Sequence, residues 1–273
     1  MPDKRIISLL PIATEIIFAF GLHEQLVGRS QACGLPDSFS DVPVFTTSDI
    51  NSGLLTDLQP DIIFVSEQQF AEIDEELKTQ LISEIKICTI KADSIIDLPK
   101  IIREIGAILD CQSDAQELTE RLNDRIDIIK HKLKFIDNKQ AVACITAFAP
   151  VGCETEPPSE LIKIAGAKTL ANENGEAVDF DQIRIQDPEV IIVMHSGYSI
   201  QQSLQNINTL LDLPGWNELS AVKNNKIFIA DGTKYFKQLG LGSVDAIEIL
   251  AEMLHPKQFI FGYEGSGWIK FNV

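Results

Sequence analysis

Residues 113–134 read SDAQELTERLNDRIDIIKHKLK. Their apolar members, Ala115, Leu118, Leu122, Ile126, Ile129 and Leu133, follow one another at steps of three or four, the repeat of one helical face. Glu117, Glu120, Arg121, Asp124, Arg125, Lys130 and Lys132 lie between them and form a solvated back. No Gly or Pro interrupts the run, and Ser113 with Gln116 reads as a capping box at its start. At 1.5 Å per residue the helix spans roughly 33 Å. It is either an ordinary surface helix or a rigid strut between two lobes, and its flanks decide for the strut.

The two flanks resemble each other. Before the helix, TEIIFAFG from Thr14 to Gly21 follows an apolar run, Ile6 to Leu10. After it, SELIKIAG from Ser159 to Gly166 follows the run Ala141 to Phe148. Both pair a hydroxyl, as N-cap, with a glycine at the same offset, as C′ residue. Further on, Pro60-Asp61 and Pro188-Glu189 each introduce a run of β-prone residues, IIFV and VIIV. Two matches in the same order argue for two related halves.

Composition sets bounds. The 273 residues fit two lobes, each of a size to bury its own core. At 45 % hydrophobic and 23 % charged the chain has globular composition, and no apolar run approaches the length of a membrane helix. A net charge of −17 argues against nucleic acid, or an anionic membrane, as partner of the chain as a whole. The five cysteines are widely spaced and form no CxxC pair. The chain enters its first strand almost at once, without a signal-peptide core. The expected location is therefore cytoplasmic as written, or periplasmic or surface-attached if an export signal has been removed.

Strands and helices alternate, which predicts α/β architecture with mainly parallel sheets. In the first half, strands are expected at residues 5–10, 26–30, 42–46, 61–66 and 85–90, and helices at 14–20, 54–58, 70–83 and 95–109. In the second, strands are expected at 140–148, 168–171, 190–194 and 227–231, a turn at 172–175, and helices at 158–165, 181–185, 199–211 and 244–254. The tail, with Tyr263 and Trp268 among glycines, reads as a packed extension. The domain expectation is an N-terminal lobe at 1–112, a connecting helix at 113–135, a C-terminal lobe at 136–256 and an extension at 257–273.

Ligands of open parallel sheets bind outside the carboxyl ends of the strands. That rule selects Pro11, Ile12 and Ala13, then Cys33, Gly34 and Leu35, then Ser66, Glu67 and Gln68 in the first half. In the second it selects Phe148, the stretch His195, Ser196, Gly197 and Tyr198, and the pair Tyr235 and Phe236. The aromatics would offer flat apolar surface to a large ligand. Of the four histidines, His195 alone follows a buried strand, as a ligand for a metal or a capping structural residue. Cys153 and Glu154 are two metal-ligating types, too few for a site of their own. No P-loop, GxGxxG or GxSxG is present, so no catalytic residue and no resident cofactor is expected.

The stretches RIISLLPIATEIIFAFG (residues 5–21), LQPDIIFV (58–65), SELIKIAG (159–166), DPEVIIV (187–193) and AIEILAEMLHP (246–256) together resemble the cobalamin- and siderophore-binding proteins of ABC importers, in which two lobes are joined by one long helix. Among these the cobalamin-binding branch is the most similar. The resemblance implies two Rossmann-like lobes, a ligand held between them and no catalysis. It implies capture of a cobalamin-like corrinoid, or a metal-siderophore or haem; the strand-end reading then makes His195 the candidate axial metal ligand, and a monomer is expected. Family members dock on the permease through an acid seven residues before the signature proline of each lobe. Those positions hold Gly53 and Asp181, so docking is expected at Asp181. The rival reading is a cytoplasmic carrier or sensor of the same ligands that does not dock. A metal-dependent enzyme on a similar fold is the third.

Overall fold

A computed structural model describes residues 4–34, 36–39, 41–50, 57–73, 75, 78, 85–136, 138–153, 158–170 and 177–272. The chain divides into two compact units, Met1–Arg121 and Leu122–Val273.

The first unit begins with β1 (Ile6–Ser8), α1 (Pro11–Ala19) and β2 (Leu26–Arg29). After β3 (Ile62–Val65) come α2 (Glu67–Glu72), β4 (Lys86–Thr89) and α3 (Leu98–Ile108). All four strands are parallel, in the order β2-β1-β3-β4. The central strands β1 and β3 are buried throughout, as a sheet covered on both faces requires. The unit ends within α4 (Gln112–Leu133), one unbroken helix of 22 residues. The expected stripe is there: Ala115, Leu118, Leu122 and Ile129 are buried, Ile126 and Leu133 half-buried.

The second unit opens with β5 (Ala141–Ile145), β6 (Ala147–Phe148) and β7 (Val151–Cys153). Then follow α5 (Pro158–Ile164), β8 (Lys168–Thr169), β9 (Val178–Asp179), α6 (Phe180–Gln186) and β10 (Val190–Val193). The chain continues through α7 (Ile200–Asn206), α8 (Asn208–Leu211), α9 (Ser220–Lys223), β11 (Ile227–Ala230), α10 (Gly242–Leu254) and β12 (Trp268–Phe271). The main sheet has the order β12-β11-β10-β5-β8, parallel except for β12. Without β12 it repeats the plan of the first unit: the first strand is flanked by the second on one side and by the third and fourth on the other.

The repeated motifs have a common physical cause. Gln59 and Asp187, just before the two prolines, both take a left-handed backbone, with φ of 42° and 44°. The acid after each proline then reaches the start of its unit's first strand. Asp61 Oδ2 accepts the Arg5 N–H at 2.7 Å, and Glu189 Oε1 accepts the Ala141 N–H at 3.3 Å. The two glycines at the helix ends, Gly21 and Gly166, have φ of 72° and 84°, as a left-handed C′ position requires.

Several local expectations are corrected. Thr14 and Ser159 are not N-caps. Pro11 and Pro158 take the first helical positions, where a missing N–H costs nothing, and the hydroxyls lie inside the helices. Thr14 Oγ1 donates to Ser8 Oγ (2.9 Å), and Ser8 Oγ donates to the Leu10 carbonyl (3.0 Å). Ser113 is likewise already helical, behind Gln112. In the stretch expected as one helix at 70–83, a helix runs from Glu67 to Glu72, started by the capping box of Ser66 and Gln69; Glu75 and Lys78 are helical too, and residues 74, 76, 77 and 79–84 lie outside the described residues. Residues 42–46 make only an isolated bridge, Arg29 to Val44. The 199–211 helix is two short ones meeting at Ile207. The stretch between the strand expected at 140–148 and the helix expected at 158–165 contributes β7, the middle of a small antiparallel sheet, β6-β7-β9. The turn at 172–175 and most of the 54–58 helix lie outside the described residues.

Candidate ligand site

In each unit the strand order reverses between the first strand and the third, and the crevice at their carboxyl ends is where this sheet type binds ligands. In the second unit β5 and β10 flank that point. β5 leads through Thr146 to Phe148, and β10 leads through Met194 to His195. The rings meet there. Phe148 and His195 stack with centroids 5.6 Å apart at 16°, His195 and Tyr198 at 3.9 Å and 26°, Phe148 and Tyr198 at 6.0 Å and 26°.

The backbone fixes this group. Gly197 has φ of 85°, which turns the chain so that the Tyr198 N–H donates to the His195 carbonyl at 3.0 Å. The Gly232 N–H donates to the Tyr198 carbonyl at 2.9 Å, bringing in the loop after β11. A Cβ on Gly232 would come within 1.9 Å of the His195 carbonyl oxygen, so the approach requires glycine. Asp231 braces that loop by accepting from the N–H groups of Thr233 and Lys234, both at 3.0 Å.

His195 Nδ1 lies 2.8 Å from the Ser196 carbonyl, which can only accept, so Nδ1 carries the proton. That leaves Nε2 as the nitrogen through which this imidazole could bind a metal. His195 and Tyr198 are half-buried, and Ser196 and Gly197 exposed. Among the described residues no group of three or more His, Cys, Asp or Glu side chains is placed to hold an ion.

A family model described as "Periplasmic binding protein" matches residues 6–233. The chain belongs to that family. An uncharacterised ABC transporter substrate-binding lipoprotein of Bacillus subtilis (strain 168), YvrC, is 23 % identical over 263 residues, covering 94 % of this chain and 81 % of the relative. A periplasmic solute binding protein from Veillonella parvula superposes with a TM-score of 0.76 at 20 % identity, over 95 % of this chain and 83 % of that one. The periplasmic haem-binding protein HutB of Vibrio cholerae gives 0.73 at 20 %, over 93 % and 100 %. At these identities the two structures establish the fold: two lobes of mixed α/β structure with parallel sheets.

Not every expected site residue of this binding protein presents its side chain. Tyr235 and Phe236 are buried, Tyr235 edge-on to Tyr263, so neither offers an open face. In the first unit Ile12 and Ala13 point into the core from α1, while Pro11 is half-buried. Cys33 is buried, its Sγ 3.1 Å from Ser30 Oγ. Gly34 is exposed, and Leu35 lies outside the described residues. The Ser66 hydroxyl is spent as a helix cap, while Glu67 and Gln68 face solvent. Cys153 is buried in β7, and burial pushes its thiol up to about 12, which leaves it a poor metal ligand. Glu154 lies outside the described residues.

The sequence reading passed over Arg29 at the carboxyl end of β2. Its Nη1 donates to the Cys33 carbonyl at 3.0 Å, while its Nε is buried without a hydrogen-bond partner among the described residues. It also passed over Gly232. The signal for Arg29 was present, since a cation ending a buried strand is unusual in so acidic a chain.

Proposed function

We propose that this binding protein captures a metal-bearing tetrapyrrole, a corrinoid or haem, for an ABC importer, outside the cytoplasmic membrane and without catalysis. The observation that carries the reading is the stack of Phe148, His195 and Tyr198 at the switch point of the second unit, with Nδ1 of the imidazole held by the Ser196 carbonyl. Stacked rings suit a flat macrocycle, and a lone imidazole suits a metal whose other ligands the macrocycle supplies. The haem-binding name of the structural relative HutB and the importer name of the relative YvrC support the same class.

Delivery needs a permease, and the exposure of Asp181 supports assigning that contact to it. It lies in the first turn of α6, with its side chain 79 % exposed despite the 3.3 Å contact to Arg184. Its counterpart position, Gly53, lies outside the described residues.

The test is a titration with hemin, aquocobalamin and cyanocobalamin, read by visible absorbance and calorimetry. Saturable one-to-one binding of one of them is expected, with a spectral shift that His195→Ala abolishes. Failure of all three to bind overturns the tetrapyrrole reading.

A further inference from the structure

The second unit carries a surface that ligand capture does not use. The end of α4 and the segment after it read KHKLKFIDNK at residues 130–139, four lysines in ten residues of a chain whose net charge is −17. Large apolar side chains stand exposed beside them: Ile128 at 52 %, Phe135 at 78 %, and Ile260 at 88 % on the segment after α10. The two stretches are joined. Lys132 Nζ donates to the Gln258 carbonyl at 3.1 Å and lies 5.1 Å over the Phe259 ring, which stacks on Phe261.

Next to this face is a recess of about 640 Å³, lined by Gln258 and by Lys226, Lys257 and Lys270. Among the described residues that line it only Glu189 is acidic, and that carboxylate already accepts the Ala141 N–H.

The geometry points to this face as a docking surface for an anionic phospholipid bilayer. Lysines around exposed Phe and Ile are the two components of interfacial binding: the ammonium groups meet headgroup phosphates, and the apolar side chains enter the acyl boundary. A second copy of the chain fits less well, because a two-fold contact would set lysines against lysines. The net charge does not forbid the contact. Exposed charges more than about 8 Å away are screened at physiological salt, so the local patch decides. A binding protein held flat on a membrane stays near its permease, yet the docking does not depend on which ligand is carried.

The test is co-sedimentation of the full chain with vesicles of phosphatidylcholine alone and of phosphatidylcholine mixed with phosphatidylglycerol. Binding is expected only to the mixed vesicles and is expected to weaken as salt rises. Lys132→Glu with Lys134→Glu, and separately Phe135→Ser with Ile260→Ser, each weaken it by more than about tenfold. Both pairs alter exposed side chains, so circular dichroism and the ligand titration stay as in the parent protein, and failure here leaves the proposed ligand untouched. Equal retention on both vesicles, no retention on either, or parental binding by both variants overturns the proposal. So does a dimer, seen by ultracentrifugation, that Phe135→Ser with Ile260→Ser dissolves.

Discussion

The imidazole of His195 lies on the phenol ring of Tyr198, centroids 3.9 Å apart and planes 26° from parallel. Tyr198 fixes the plane of the imidazole while the Ser196 carbonyl fixes its tautomer. An aromatic stack is worth about 0.5–1.5 kcal/mol beyond its buried area. Tyr198→Leu keeps apolar bulk but removes the stack. It is expected to weaken hemin or aquocobalamin binding up to about tenfold, with the metal-ligand band retained. Tyr198→Phe should bind as the parent does. Equilibrium titration of the two variants, read at the visible bands, decides the matter.

Gly232 is the hinge between that stack and the loop after β11. A methyl group there would meet the His195 carbonyl oxygen at 1.9 Å, and two backbones cannot both give way cheaply. Gly232→Ala is expected to cost on the order of 1–3 kcal/mol and to loosen ligand binding by displacing His195. Gly34 is the control, since a Cβ there meets nothing within 4 Å. Gly34→Ala should leave the denaturation midpoint where it is. Urea titrations of both variants measure the contrast.

Asp61 and Glu189 hold equivalent places in the two units, yet their hydrogen bonds differ, 2.7 Å to Arg5 against 3.3 Å to Ala141. A charge-assisted bond at an exposed site is worth about 1 kcal/mol, and the longer one less. Asp61→Ala should therefore destabilise the protein by about 1 kcal/mol, and Glu189→Ala by a smaller amount. Equal losses in chemical denaturation would count against a geometric origin of the motif.

These motifs show what the sequence could and could not reveal. The alternation of strands and helices was legible because it rests on local periods, and the 22-residue helix most of all. The repeat was legible as Pro-acid-apolar, but its reason was not, since Asp61 and Arg5 are far apart in sequence. Thr14 looks like a cap because Pro11 is read as a break and not as a first helical residue, and Ser159 conflicts as a cap with a helix that already starts at Pro158. The strands β7 and β9, three and two residues long, carry no period to detect. The strand-end rule selects His195, Tyr198 and Phe148, and the fold brings their rings together. The same rule also selected Ile12, Ala13, Cys33, Tyr235 and Phe236, because a position after a strand does not say which way the side chain turns. Their burial is a property of packing around them.

Acid should lower the protein's stability over two pH ranges, the upper one set by His255 and the lower one including Glu252. His255 is buried, with Nε2 3.1 Å from the Ala165 carbonyl, and burial holds its pKa below the ordinary 6.5. Glu252 is also buried. Burial works against its charged form, but the Trp268 indole and the N–H groups of Gly262, Tyr263 and Phe261 more than offset this and hold its pKa below the ordinary 4.5. In both cases the unfolded chain binds the proton more readily than the folded one, so stability falls as pH falls. The His255 contribution starts to be lost as pH drops below about 6.5, the Glu252 contribution only below about 4.5, each until the folded pKa is passed. His255→Gln should remove the upper slope and keep the lower. Glu252→Gln should lower stability at neutral pH and flatten the lower slope. Urea midpoints measured from pH 8 to pH 3, with Trp268 contributing to the fluorescence signal, separate the two. A single slope starting below pH 4.5 in the parent protein would show that His255 titrates alike in both states.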